Sequence, residues 1–212
     1  MNAPLDWYFD FISPFAYLQW RRLRRDHPEI ALNPKPLLFA ALLNHHGQLG
    51  PAEIPLKRRH TYRMVQWQAR ELGIPLRSPP AHPFNPLPAL RLCLAAPDRR
   101  AAIDAIFAHL WERGLQGDGI ESLAGVAQSL GIADPAAAIA RDEVKRELQA
   151  NGEEAMALGV FGVPTLRVRD ELFWGNDATD FALAYLADEN ALDAEMRRVD
   201  AIPEAIQRRR PA

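Results

Sequence analysis

Residues 5–16 read LDWYFDFISPFA and decide the fold. Residues 5–12 combine aromatic and β-branched side chains with partial alternation, which predicts a β-strand. Ser13 is a favoured N-cap residue and Pro14 is favoured at the first helical position, so a helix is expected to start directly after this strand. Basic residues near the expected end of this helix, before Pro28, suit the helix dipole.

A helical block is predicted between the first strands and the last ones. Residues 30–39 predict a second strand, and Pro34 and Pro36 within it indicate an edge or a bulge. Strand, helix and strand in this order predict a parallel βαβ unit. Residues 44–55 predict a loop because they are rich in glycine, proline and polar side chains. Helices are then expected over residues 56–72, 86–95, 99–112, 121–130 and 135–149, which indicates an inserted helical domain.

The sequence after the helical block predicts a hairpin. Thr165–Val168 and Glu171–Trp174 have strand composition and are separated by a two-residue turn. Asn176 or Asp177 is expected to cap a last helix that follows the hairpin.

The composition argues against several classes of function. Hydrophobic residues make up 48% and charged residues 25% of the chain, and the net charge of -2 gives no strong field for nucleic acid or an anionic membrane. The longest apolar run, residues 37–43, is far shorter than the roughly 18 residues of a membrane span, and the first residues do not resemble a secretory signal. A single cysteine, Cys93, excludes an internal disulfide, and no histidines are spaced as a metal pair. We therefore expect a cytoplasmic protein without a metal site.

The helix start at Ser13 is the first candidate site. Backbone N–H groups and the helix dipole favour negative charge there, so a thiolate or alkoxide would be stabilised. Thioredoxin-like proteins often carry a Cys-x-x-Cys pair at this place, whereas Ser13 and Ala16 occupy the two positions here. Without sulfur at either position, dithiol–disulfide exchange at this motif is impossible. A pure N-cap role for Ser13 is the alternative that the sequence leaves open.

The segment Gly162-Val163-Pro164-Thr165 is the second candidate site. If the Val163–Pro164 bond is cis and faces the helix start, the backbone N–H and C=O of Val163 would be exposed. They could then pair with an extended, peptide-like ligand, as in strand addition.

Together these motifs resemble those of one family. A strand followed by Ser-Pro-Phe, a helical insertion, and then FGVPT and FWGND are similar to the DsbA-like branch of the thioredoxin superfamily. Over residues 5–187, the chain most resembles 2-hydroxychromene-2-carboxylate isomerases and the related kappa-class glutathione transferases. The resemblance implies an α/β, thioredoxin-like fold with an inserted all-helical domain. Residues 1–43 and 151–190 would form the thioredoxin-like domain, residues 44–150 the inserted loop and helical domain, and residues 191–212 a C-terminal extension.

The resemblance also implies glutathione as the cofactor and assigns residues to it. Ser13 matches the serine that faces the glutathione sulfur, where a hydroxyl donor would favour the thiolate. Val163, before Pro164, matches the residue whose backbone holds the cysteinyl part. Asn176 and Asp177 match the pair that binds the γ-glutamyl end.

The early loop is assigned to the glycyl end of glutathione. The segment from Gly47-Gln48 to Lys57 resembles a Gly-Asn…Pro-x-Lys segment of the kappa class. Lys57 would then bind the glycyl carboxylate, and Gln48 stands where asparagine is usual. Ala178 follows Asn-Asp where the family commonly has arginine, which would change how that loop is anchored.

The implied activity is a glutathione-dependent cis–trans isomerisation of a conjugated, aromatic 2-oxo acid. Addition of the thiolate would turn a double bond into a single bond, rotation would follow, and elimination would return the isomer. The expected partners are glutathione and a small-molecule substrate, with a homodimer as a family expectation and no nucleic-acid or membrane partner. A kappa-class-like glutathione transferase or peroxidase and a non-catalytic thioredoxin-like binding protein stay open as alternatives.

Overall fold

The computed structural model describes residues 4–203 and contains a four-stranded mixed sheet. Strand β1 is Leu5–Phe9, β2 is Leu32–Pro36, β3 is Thr165–Val168 and β4 is Glu171–Trp174. Their order is β2-β1-β3-β4; β1 and β2 are parallel, while the β1–β3 and β3–β4 pairs are antiparallel. The predicted βαβ unit and hairpin are therefore confirmed, and β2 lies at the edge of the sheet, as its two prolines indicated.

Helices surround this sheet and fill the chain between β2 and β3. Within the described residues they are α1 Pro14–Asp26, α2 Phe39–His45, α3 Pro55–Glu71, α4 Leu87–Ala95, α5 Arg99–Phe107, α6 Ala124–Ser129, α7 Pro135–Ala140, α8 Asp142–Ala157, α9 Thr179–Ala187 and α10 Ala194–Arg197. A π-helical turn over Ala108–Glu112 continues α5, and 3-10 turns lie at Pro51–Glu53, Glu121–Leu123, Glu189–Ala191 and Arg198–Ala201. The part of the predicted C-terminal extension from residue 204 onward lies outside the described residues.

Several boundaries differ from the sequence prediction for physical reasons. The first strand ends at Phe9 because the chain then turns toward Ser13, whose N–H donates to the carbonyl of Asp10. The predicted helix over residues 135–149 is two helices, since Arg141 adopts an extended ψ of 138° between α7 and α8. The predicted cap of the last helix is wrong: α9 starts at Thr179, whose own hydroxyl donates to the carbonyl of Asn176.

An aromatic core joins the sheet to the helical insertion. Trp7 stacks on Phe9 with ring centroids 4.1 Å apart and on Trp20 of α1 at 5.1 Å. Phe107 of α5 meets Phe11 edge-on at 4.8 Å, and all these rings are fully buried. Because large aromatic side chains dominate the energetics of such cores, this contact fixes the insertion against the sheet end that carries Ser13. The division into domains at residues 44, 151 and 191 stays a prediction.

The described residues contain neither a helix that could span a membrane nor a cluster of metal-binding side chains. None of the helices there is both long and apolar enough to span a bilayer. Between residues 4 and 203, no group of three or more histidine, cysteine, aspartate or glutamate side chains is placed to hold a metal ion.

Candidate functional site

The Ser13 turn and the Val163–Pro164 peptide lie at the same end of the sheet. Strands β1 and β3 run antiparallel with Tyr8 opposite Thr165, so the end of β1 and the start of β3 are neighbours. Ser13 follows β1, and Pro164 comes directly before β3. The Val163–Pro164 bond is cis, the conformation on which the second candidate site depends. The fold therefore brings together the two segments that the sequence singled out separately.

Ser13 caps helix α1 and can still donate a hydrogen bond. Its Oγ accepts from the backbone N–H of Ala16 at 3.2 Å, and its relative exposure is only 7%. A hydroxyl that accepts one bond keeps its own hydrogen for a second partner. The N-cap role is thus real, and it leaves the O–H available to a group that lies beyond the helix N-terminus. That position also favours an anion because the dipole of the 13-residue helix points its positive end there.

The backbone of Val163 is available for pairing. Among the described residues, no hydrogen bond uses its N–H or C=O. Gly162 precedes it, and a Cβ at Gly162 would collide with the indole of Trp174, so only glycine allows this close packing. Trp174 and Phe161 are partly exposed and meet edge-on at 5.1 Å beside this segment. An extended ligand could therefore pair with the backbone of Val163 beside an aromatic wall.

Asp10 holds the Ser13 turn from inside the protein. Its Oδ1 accepts from the N–H of Ile12 at 3.1 Å, its Oδ2 accepts from the N–H of Phe39 at 2.9 Å, and its carbonyl accepts from the N–H of Ser13 at 3.1 Å. Desolvation by complete burial raises the pKa of this carboxyl from 3.8 to about 7, although the backbone N–H donors oppose the rise. Asp10 thus ties the site to the start of α2.

The helical insertion holds the same turn from outside. Trp111 donates its indole N–H to the carbonyl of Phe11 at 2.8 Å, and His82 Nε2 lies 2.8 Å from the carbonyl oxygen of Ile12. The other ring nitrogen of His82 lies 2.7 Å from the hydroxyl of Tyr62 on α3. Burial lowers the pKa of His82 below its usual value. Both peptide units before Ser13 are therefore held by side chains of the insertion.

Asn176 carries a buried oxygen without a partner in the described structure. Its Nδ2 donates to Gln68 Oε1 on α3 at 3.0 Å, whereas its Oδ1 accepts no hydrogen bond. The N–H of Gly175 donates to the carbonyl of Pro164 at 2.8 Å, which places Asn176 beside the cis peptide. An unpaired buried acceptor is costly, so each one needs an explanation. A ligand that brings an N–H donor into this corner would satisfy it.

Asp177 is exposed directly after Asn176, and Lys57 is exposed farther along α3. Asp177 is exposed, and a Cβ at Gly175, which has φ of +98°, would collide with its carboxylate. Lys57 is exposed on α3, eleven residues before Gln68. Eleven residues make about three turns, so Lys57 and Gln68 share one side of α3, about 16 Å apart along the axis. One side of α3 thus carries both Lys57 and Gln68, the residue that binds Asn176.

The assignment of Gln48 receives no support from contacts. Gln48 is exposed after α2, and only its backbone N–H makes a hydrogen bond in the described structure, to the carbonyl of Leu43 at 2.8 Å. The loop itself does reach the site, because His46 Nε2 lies 3.0 Å from the carbonyl oxygen of Val160.

Sequence reasoning missed four residues that shape the site. Asp10 carried a usable signal, since a carboxylate between Phe9 and Phe11 is expected to be buried and then needs hydrogen-bond partners. His82, Tyr62 and Gln68 carried none, because their partners lie far away along the chain.

The comparisons with known proteins identify the family of the chain. The sequence profile of the DSBA-like thioredoxin domain matches residues 4–187. A 2-hydroxychromene-2-carboxylate isomerase of Sphingobium xenophagum is 30% identical over 198 residues, which cover 89% of this chain and all of that protein. The chain belongs to the DsbA-like thioredoxin family, in its 2-hydroxychromene-2-carboxylate isomerase branch. This confirms the family that the motifs indicated.

Other members of the DsbA-like family extend the comparison. A protein named glutathione S-transferase kappa 2 from Caenorhabditis elegans is 27% identical over 180 residues, covering 77% of this chain and 80% of that one. A solved structure of a 2-hydroxychromene-2-carboxylate isomerase superposes with a TM-score of 0.74 at 24% identity, over 94% of this chain and 98% of the other. The thioredoxin-like fold with its helical insertion is thereby confirmed. The names of the relatives support an isomerase-like or glutathione-transferase-like function.

Proposed function

We propose that this DsbA-like protein is a glutathione-dependent cis–trans isomerase of a conjugated, aromatic 2-oxo acid. One observation carries the proposal: the Ser13 hydroxyl caps a helix N-terminus at the same end of the sheet as a cis Val163–Pro164 peptide, where related folds place a cysteine pair. The only thiol of the chain, Cys93, is fully buried, and desolvation raises its pKa to about 12. Thiol chemistry at Ser13 therefore requires a thiol that comes from a ligand.

The residues present fit glutathione. The unpaired Oδ1 of Asn176 suits the ammonium of a γ-glutamyl group, and the exposed carboxylate of Asp177 adds the opposite charge. Lys57, about 16 Å from Gln68 along the axis of α3, suits the glycyl carboxylate. A tripeptide backbone spans about 10 Å when extended, and the long lysine side chain covers much of the rest. Gln48 is proposed as a further contact of this kind only by its place in the early loop.

Each group of the chain then has a defined task. When bound, glutathione supplies a thiol that can add reversibly to a conjugated double bond. Ser13 would donate its O–H to the thiolate, which lowers the thiol pKa because the charged form is favoured. The N-terminus of α1 adds its dipole, and the N–H and C=O of Val163 would align the ligand backbone in the manner of an added strand.

A kappa-class-like glutathione transferase is the second candidate. The relative named glutathione S-transferase kappa 2 favours it, and the same activated thiolate would serve both reactions. The two functions differ in the electrophile: a transferase leaves the sulfur attached to its product, whereas an isomerase releases it. A cytoplasmic location belongs to the main proposal because reduced glutathione requires a reducing compartment, and a homodimer belongs to it as a family expectation.

The direct test is an assay of cis–trans isomerisation of 2-hydroxychromene-2-carboxylate with and without glutathione. We expect turnover that depends on glutathione and leaves the glutathione concentration unchanged. Stoichiometric consumption of glutathione with electrophiles would favour the transferase. Binding of glutathione without any reaction would favour the non-catalytic binding protein.

Asn176→Leu is expected to weaken glutathione binding about tenfold to thirtyfold, because it removes a hydrogen bond to a charged group. Isothermal titration calorimetry measures this effect. The matched control is Asn151→Leu, which removes another buried asparagine, whose Nδ2 donates to the carbonyl of Pro36 on β2, the strand on the opposite side of β1 from β3 and Pro164. We expect both variants to lose stability and only Asn176→Leu to lose affinity. Equal affinity in the two variants would take Asn176 out of the ligand site.

A further inference from the structure

The inference concerns a hydrogen-bonded chain that runs from α3 to the residue before Ser13. A carbonyl oxygen can only accept, so His82 Nε2 must carry a hydrogen and donate it to Ile12 across 2.8 Å. In the neutral ring Nδ1 is then an acceptor, and the hydroxyl of Tyr62 donates to it across 2.7 Å. The tautomer and the orientation of the ring are thus fixed at both nitrogens.

Aromatic rings and side chains of α3 surround the His82 imidazole and hold its orientation. The ring lies edge-on to Trp111 with centroids 5.4 Å apart and to Phe84 at 5.9 Å. Among residues 4–203, the charged or titratable groups that act on it are both on α3: Tyr62, and Arg58, whose guanidinium carbon lies 5.4 Å from the ring centre of Tyr62. Burial lowers the pKa of the imidazole and the positive charge of Arg58 adds to this, although the hydrogen bond to Ile12 acts in the opposite sense. The contacts on both sides of the ring therefore keep its Nε2–H directed at the carbonyl of Ile12.

The bond from His82 acts on Ser13 through one peptide unit. The plane that joins Ile12 to Ser13 is held at its oxygen by His82 and at its N–H by the carbonyl of Asp10. Because a peptide unit is planar, fixing both ends fixes the direction in which the Ser13 Cα enters α1. Without His82 only the Asp10 end would hold, and the plane could rotate.

We propose that His82 is a positioning residue for Ser13: its Nε2–H, oriented by Tyr62, sets the direction of the Ser13 side chain at the N-terminus of α1. The proposal rests on the proposed function in so far as Ser13 activates a thiol. It assigns to the helical insertion a part in the chemistry, since both Tyr62 and His82 lie between β2 and β3. The direction of the side chain matters because hydrogen bonds weaken steeply as their angle departs from linear.

The test uses the protein without glutathione. Ser13→Cys places a thiol at the position under study, and the rate of its alkylation by iodoacetamide against pH gives its pKa. Cys93 is fully buried and contributes little, which the unmodified chain checks. In the Ser13→Cys background we expect a thiol pKa below that of a free cysteine, as at other helix N-termini.

Removal of His82 should weaken this effect. Adding His82→Ala is expected to slow alkylation near neutral pH about fivefold, since the thiol would no longer face the first turn of α1. His82→Gln can donate an amide N–H to Ile12 and is expected to restore the rate to within about twofold. Tyr62→Phe, which keeps the ring, should give a smaller decrease. An unchanged rate in both His82→Ala and Tyr62→Phe would overturn the proposal, as would His82→Gln behaving like His82→Ala in a folded protein.

These outcomes separate the two proposals. A protein that does not bind glutathione but shows the alkylation effect keeps His82 as the positioning residue and loses the proposed function. A glutathione-dependent isomerase whose thiol at position 13 does not respond to His82 keeps the function and loses the positioning role. Near-ultraviolet circular dichroism of each variant identifies any that fails to fold. If the His82 variants do not fold, the alkylation rate of Tyr62→Phe in the Ser13→Cys background decides whether the positioning role stands.

Discussion

Ser13→Ala is expected to lower kcat/KM of the glutathione-dependent isomerisation about a hundredfold, while the Kd of glutathione changes by less than about threefold. The hydroxyl is the donor placed at the helix N-terminus beside the cis peptide, and a hydrogen bond to a charged partner contributes about 1.5–3 kcal/mol. Most of the ligand surface would be held elsewhere, by Val163, Asn176 and Lys57, so binding should survive the change.

The same variant tests the activation of the thiol. Ultraviolet difference absorbance follows the thiolate of bound glutathione against pH, and we expect a depressed pKa in the unmodified protein that returns toward the free value in Ser13→Ala. Ser129→Ala is the matched control, because it removes a hydroxyl that donates to the carbonyl of Val126 in α6. Loss of the N-cap in Ser13→Ala also costs about 1 kcal/mol of stability, so rates are compared well below the unfolding temperature.

Either contrary result has a defined meaning. An unchanged rate in Ser13→Ala would remove Ser13 from the chemistry and leave it as an N-cap. An unshifted thiol pKa in the unmodified protein, with glutathione bound, would favour a thioredoxin-like binding protein that activates nothing.

Local sequence was sufficient wherever the partners are near in the chain. The aromatic strand, the Ser13-Pro14 helix start and the strands Thr165–Val168 and Glu171–Trp174 were all predictable, because strand composition and helix capping depend on neighbouring residues. The cis Val163–Pro164 peptide needed the family resemblance in addition, since a valine–proline pair by itself favours trans.

The parts that escaped prediction depend on partners distant in the chain. Helix α2 starts at Phe39, whose N–H is bound by Asp10, 29 residues earlier, so no local cap announces it. The partner of Asn176 is Gln68, 108 residues away, and His82 reaches Ile12 across 70 residues. A single sequence contains the residues of such pairs but not their pairing, and the candidate site consists largely of them.

Asp10 gives the second large expectation, a loss of stability as the pH rises. Its folded-state pKa of about 7 lies above the ordinary 3.8, so between these values the native state binds a proton that the unfolded chain has lost. The contribution of Asp10 to stability is therefore fully present below 3.8 and is lost as the pH rises through about 7. From about pH 5 to about pH 8 it should fall by about 2.5 kcal/mol.

The variant Asp10→Asn isolates the pH-dependent contribution of Asp10 to stability. His82 and His109 have lowered pKa values and act in the opposite sense, because their contributions are lost as the pH falls below the ordinary 6.5. The pH dependence of the free energy of unfolding of the unmodified protein is thus the sum of these contributions. The difference in this free energy between the unmodified protein and Asp10→Asn, followed across the pH range, reports the contribution of Asp10 alone. Urea unfolding at several pH values measures it, and Asp98→Asn, an exposed cap of α5, is the matched control. Parallel curves for the unmodified protein and Asp10→Asn would contradict the expectation.

The buried carboxylate of Asp10 lowers stability at high pH, but it also holds the turn that carries Ser13. Asp10 accepts from the N–H of Ile12 and from that of Phe39, and its carbonyl holds Ser13. An asparagine would remove the buried charge but offers one acceptor oxygen in place of two, so one of the two side-chain bonds must be lost. We therefore expect Asp10→Asn to lose less stability than the unmodified protein between about pH 5 and about pH 8 and to be less active, because the turn that carries Ser13 is held less firmly. A variant that lost this pH dependence of stability and kept full activity would show that the buried carboxylate has no part in placing Ser13.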